Sequence, residues 1–138
     1  MTYTLDDAFQ ELRLAHQSPP KPSVIPTFDD LETIEAELSV SLHSDLRRYL
    51  LEVSYVFVGT LQPATASNSS WSTHLTRVVE NGREYGVPRE LLPFCEDNAD
   101  FYCLDSEGKV IFWSHNGVVD ETWPSMAIWI RDVWIAES

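Results

Sequence analysis

The stretch "FYCLDSEGKVIFW" at residues 101–113 constrains the fold more than any other part of the chain. Two β-branched and aromatic runs, "FYCLD" and "KVIFW", flank the tripeptide Ser106-Glu107-Gly108. Gly108 stands where a three-residue turn needs a positive φ, so the two runs are predicted to pair as an antiparallel hairpin. A hairpin alone is marginal in water, and these apolar side chains need helices or further strands to cover them. The wider stretch 98–115 also gathers three acids, a cysteine, four aromatics and a histidine into eighteen residues, which makes it the first place to look for chemistry.

The elements that could cover the hairpin are legible from capping and periodicity. Thr4 with Asp7 forms a capping-box pattern ahead of Leu5, Ala8, Phe9 and Leu12, whose i, i+3, i+4, i+7 spacing predicts a helix over 5–16. The segment "QSPPKPSVIP" follows, with four prolines in ten residues, and can only be an extended connector. Thr27 with Asp30 repeats the capping pattern, and Leu31, Ile34 and Leu38 predict a helix over 28–38. After "SVSLHS", Leu46, Tyr49, Leu50 and Val53 predict a third helix over 44–53. "YVFVGTL" at 55–61 reads as a buried strand ending before Pro63. A fourth helix is expected over about 72–84, weakened by Asn81 and Gly82 and ended by Gly86. Residues 91–95 are a short apolar run. Pro124 suits the first turn of a last helix over 125–136, with Met126, Trp129, Ile130 and Val133 as its buried stripe.

This order predicts an α+β fold, an antiparallel sheet packed against helices, with 55–61, 99–105 and 109–114 in the sheet. The 138 residues suffice for one domain and a sizeable core. Residues 1–26 would form the N-terminal helix and connector, and 27–138 the core. No apolar run approaches the ~18 residues of a membrane span, and the acidic N-terminus does not fit an export signal. A cytoplasmic location follows as the expectation, with Cys95 and Cys103 as reduced thiols. The formal net charge is −13, from 22 acids and 9 bases. Such a chain repels nucleic acid and anionic membranes and attracts basic partners, although acidity also simply confers solubility.

Catalytic and metal chemistry find little support. Cys95, Cys103, Asp97 and His115 are the candidate ligands, but the C-x7-C spacing is not that of structural zinc, and His16, His43 and His74 lie far apart. No metal and no cofactor is expected. The chain has no G-x-S-x-G elbow, no H-E-x-x-H and no phosphate-binding glycine pattern. Cys95 with His115 would form a nucleophile–base pair only if the fold brought them together. Glu96, Asp97 and Asp100 read as paired carboxylates of a small hydrolase or, more plainly, as a solvated acidic loop before a strand. Base stacking on the aromatics would need neighbouring bases, and only Lys109 is close.

Two segments are similar to known signatures. "IEAELSVSLHSDLRRYL" (34–50) resembles the N-terminal signature of the SUKH superfamily, E-x-x-L-G-x-x-L-P-x-D-Y-R-x-F-L. Glu35, Leu38, Leu42, Asp45, Arg47, Tyr49 and Leu50 match, while Ser39, His43 and Leu46 replace the usual glycine, proline and aromatic residue. "LLPFCEDNADFYCLDSEGKVIFWSHN" (91–116) resembles the second block, with Leu92, Pro93, Phe94, Asp97 and Asp100 matching and Asn98 and Ala99 standing where glycines are common. The "nGG" after the first signature is missing, since "VSYVF" occupies that place. The resemblance covers most of 28–137, which would make the first helix an addition.

The resemblance implies an α+β fold and a non-enzymatic, protein-binding role. Bacterial members are often immunity proteins that neutralise a toxin, frequently a nuclease. Fungal members regulate glucan synthesis through protein contacts. The expected partner is therefore a protein, with a basic toxin domain as the first reading and a host regulatory partner as the alternative. Glu96, Asp97, Asp100, Tyr102 and Trp113 are the expected contact residues. Exposed parts of the five tryptophans would serve homodimerisation equally well.

Overall fold

The computed structural model describes residues 2–18, 24–116 and 121–138. Met1, half of the proline-rich connector (19–23) and residues 117–120 lie outside this range. Four helices, α1 (Leu5–Ala15), α2 (Phe28–Leu38), α3 (Ser44–Val53) and α4 (Leu75–Tyr85), precede four strands. The strands are β1 (Leu92–Asp97), β2 (Asp100–Leu104), β3 (Val110–Trp113) and β4 (Thr122–Trp123). A last helix, α5 (Met126–Trp129), continues as a π-helical segment over Ile130–Ile135. The sheet is an antiparallel meander in the order β1-β2-β3-β4. The chain is an α+β protein, as the order of its elements predicts.

The helix starts are held by the chemistry their sequences announce. In both α1 and α2 the N-cap threonine oxygen accepts from the N3 backbone N–H, and the N3 aspartate accepts from the N-cap N–H (Thr4/Asp7 and Thr27/Asp30). α3 and α4 instead begin on histidines: His43 Nδ1 accepts from Asp45 N at 3.1 Å and His74 Nδ1 from Thr76 N at 3.3 Å. α2 ends on Ser39 at φ +55° and α4 on Gly86 at φ +107°, both left-handed C-caps.

Both faces of the sheet are covered. That explains why Phe101, Tyr102, Cys103 and Leu104 are all buried rather than alternating. On one face Pro93 packs against Gly82 of α4; a Cβ at Gly82 would lie 2.6 Å from Pro93 Cγ. The glycine that weakens the sequence signal for α4 is therefore what lets helix and strand approach. On the other face the Trp129 ring meets Phe94 edge-on at 5.0 Å and Tyr102 at 5.1 Å. Trp129, Ile130 and Val133 are buried as expected, and so is Trp134. The π-helical turn carries Trp134 back beside Trp129, their rings 6.3 Å apart, five residues on in sequence. Each such aromatic contributes roughly 2–3 kcal/mol through burial. The Trp129 indole N–H has no acceptor among the described residues. α1 packs on α3 and α5 and so belongs to the core rather than to an appendage.

Three expectations are corrected. Residues 55–61 form no strand. Val56 and Val58 are buried in alternation, as a strand would bury them, but their backbone is matched to other partners. Phe57 N donates to His16 Nδ1 at 3.0 Å, Phe57 O accepts from Gln17 N at 2.8 Å, and Val58 O accepts from Trp134 Nε1 at 3.0 Å. Of residues 91–95, read only as an apolar run, 92–95 belong to β1, an outer strand of the sheet. The last helix is α-helical for only four residues, and Pro124 precedes its cap, Ser125, whose hydroxyl accepts from Ile128 N at 3.2 Å.

Candidate functional site

The acids Glu96, Asp97 and Asp100 lie not on a loop before a strand but at the tip of the β1–β2 hairpin. Asp97 pairs with Asp100 across the two-residue turn Asn98-Ala99. Both turn residues have positive φ, +52° and +71°, the geometry of a tight hairpin turn that normally takes glycine in its second position. Glu96 is exposed, and Asp97 and Asp100 are half-buried. Asp100 is anchored: its Oδ1 accepts from His115 N at 3.2 Å and lies 2.8 Å from His115 Nδ1. The carboxylate thus ties the β2 start to the chain leaving β3.

The aromatics divide between the two faces. Glu96, Phe101 and Trp113 form one cross-strand row, and Tyr102 with Phe112 forms the next. Tyr102 is only 8% exposed and packs against Phe112, Trp123 and Trp129. Burial pushes its phenol pKa up. It belongs to the core and offers a partner little surface. Trp113 is half-buried, with its ring over Gly86. Tyr85, which sequence reasoning missed, takes the exposed position here: it is 50% exposed, 6.2 Å from the His115 ring and 6.0 Å from Phe101. The signal was its place next to the helix-ending Gly86, where a side chain projects from the last turn. The tip surface thus combines Glu96, Asp97 and Asp100 with Tyr85, Trp113 and His115.

The residues of the first signature hold the fold. The Glu35 carboxylate accepts from Leu42 N at 2.8 Å and from Arg47 Nη1 at 2.8 Å, closing the α2–α3 junction. Leu42 and Tyr49 are buried, Leu38 is half-buried, and Asp45 sits in the first turn of α3, where an acid suits the helix dipole. Pro93 and Phe94 are buried between α4 and α5.

A nucleophile is not assembled. Cys95 is fully buried, and burial raises its thiol pKa well above the ordinary value, followed by the negative charges of Asp97 and Glu96. Its sulfur points at the Glu96 carbonyl at 4.0 Å, whereas the His115 ring is engaged by Asp100. Burial likewise pushes the Cys103 thiol up to about 12. Both cysteines are free thiols. Among the described residues no three of His, Cys, Asp and Glu cluster as metal ligands. No helix among them is long and apolar enough to cross a membrane.

The family described as SMI1-KNR4 cell-wall, of the SUKH superfamily, matches residues 5–135. The chain belongs to this SUKH family. The match takes in α1, which the two signatures alone leave outside. A crystal structure of a protein from Pseudomonas syringae pv. tomato superposes on this SUKH chain with a TM-score of 0.89. The two are 37% identical, over 96% of this chain and 99% of that one. No curated protein matches the chain.

Proposed function

We propose that this SUKH protein is a non-enzymatic binding module that acts in the cytoplasm as an immunity protein, neutralising a basic toxin domain of nuclease type. The observation that carries this reading is membership of the SUKH family across residues 5–135, in a superfamily of protein-binding domains. The charge of −13 supports it. A nuclease that grips phosphates is basic, and an acidic protein is steered to that groove and can cover it. The hairpin tip is the contact in this reading: Glu96, Asp97 and Asp100 supply charge, and Trp113 and Tyr85 supply aromatic anchors. A buried Tyr102 supports the tip from below. The family's cell-wall description favours, as a second reading, a regulator that binds a host protein.

The test is the triple variant Glu96→Gln, Asp97→Asn, Asp100→Asn. Rim charges act mainly through association rate. The folded variant should associate more slowly with the cognate toxin domain, with a weaker dependence on salt. An unchanged association rate would remove the tip from the interface.

A further inference from the structure

Exposed large apolar side chains are scattered singly on most proteins, but here three of them fall within five residues. Val24 is 70% exposed, Ile25 49% and Phe28 67%. They lead into α2, whose inward face is taken by buried Leu31 and Ile34. The outward face carries Phe28, Asp29, Glu32, Thr33, Ala36 and Glu37, all exposed. Phe28, Glu32 and Ala36 form one i, i+4, i+8 row, so the aromatic and acidic positions are neighbours on one exposed helix face. α2 contains no basic residue to neutralise Asp29, Glu32 and Glu37. The neighbouring Asp30 is spent on the Thr27 N–H at 2.8 Å. Nor does the fold need Phe28 in this place. At the first helical turn a polar residue would serve as well, and Pro26 beside it is already buried.

We infer that this face of α2, with Phe28 and Ile25 as apolar anchors and Asp29, Glu32 and Glu37 as acidic flank, docks a second protein segment that is basic and amphipathic. Charge selects this occupant. A lysine- or arginine-bearing helix with an apolar stripe satisfies both halves of the surface, placing its stripe on Phe28 and its cations on the flank. A second copy of the same face would instead oppose like charges. The surface is distinct from the β1–β2 tip.

The experiment titrates the 15N-labelled full chain with a capped twelve-residue helical peptide of leucine and lysine, followed by amide chemical shifts. The largest changes should fall within 24–37. Phe28→Ser should weaken binding about tenfold or more, as loss of an aromatic anchor does, while Phe28→Leu retains most of it. The tip variant Glu96→Gln, Asp97→Asn, Asp100→Asn should bind the peptide as the parent does, which separates this result from the fate of the toxin reading. Shifts centred elsewhere overturn the inference. So does undiminished binding by a folded Phe28→Ser variant, or equal binding of a lysine–serine peptide of the same charge. Sedimentation showing a dimer that Phe28→Ser abolishes would assign the face to a second copy and overturn it as well.

Discussion

Asp100 and His115 are joined twice through one carboxylate oxygen, which accepts from the His115 backbone N–H at 3.2 Å and meets His115 Nδ1 at 2.8 Å. This contact within the sequence stretch 98–115 is therefore first a clasp at the end of a sheet. Asp100→Asn keeps an acceptor but loses charge assistance. For a half-buried group we expect a cost of about 0.5–1 kcal/mol, and a melting temperature lower by roughly 2–4 °C. Asp100→Asn and His115→Ala should be non-additive in a thermal double-mutant cycle. Additive losses would mean that the clasp contributes nothing.

Ala99 holds φ at +71° directly after Asn98 at +52°. A Cβ in this region is strained, and glycine relieves the strain at the expense of greater freedom in the unfolded chain. Ala99→Gly is expected to stabilise the protein by about 0.5 kcal/mol, seen as a higher denaturant midpoint at unchanged slope. A lower midpoint would show that the turn tolerates its alanine without strain.

Gly82 sits in the middle of α4, where helix propensity alone would favour alanine by about 1 kcal/mol. Packing reverses that preference. The added Cβ would meet Pro93 Cγ at 2.6 Å, part of a ring in a strand that cannot swing away. Gly82→Ala should destabilise by about 1–3 kcal/mol in chemical denaturation, the usual cost of overpacking. A neutral or stabilising result would refute this packing of α4 on β1.

His74 is 5% exposed and caps α4 with an unprotonated Nδ1, which also pairs with Thr76 Oγ1 at 2.7 Å. Burial lowers its pKa from the ordinary value; the Ala66 backbone, Glu37 and Asp30 oppose that shift, and Arg77 adds to it. With the folded pKa below the unfolded one, its contribution is complete above the unfolded value of about 6.5 and is lost as pH falls through the folded value. His74→Asn, which keeps a capping oxygen, should show a smaller loss of unfolding free energy between pH 7.5 and pH 5 than the parent. Identical pH dependence in both proteins would contradict the buried neutral cap.

Much of the fold can be read from local chemistry, because α1 and α2 carry paired caps and the first three helices have clean apolar periodicity. The second hairpin is equally plain, since Gly108 has φ +88° and Asp105 Oδ1 accepts from both Glu107 N and Lys109 N at 2.9 Å. What escapes is set by long-range partners. The 55–61 segment has strand composition and strand burial, but its hydrogen bonds go to His16, Gln17 and Trp134. The π-helical segment cannot be anticipated from a stripe at 3.6 spacing, because it answers to the placing of two tryptophans in one core. At the tip, the acids were visible while Tyr102 turned inward and Tyr85 took the surface. Cross-strand register decided the inward turn of Tyr102, since a shift by one residue exchanges the faces, whereas Tyr85 comes from the end of α4.

In the proposed function, this SUKH chain neutralises a protein toxin by binding it. The most direct measurement titrates the purified protein into the proposed partner, a nuclease toxin domain, and follows residual nuclease activity against molar ratio. The account predicts a linear fall to the baseline at one equivalent, with activity restored when the complex is dissociated. Full nuclease activity in the presence of excess protein would contradict it.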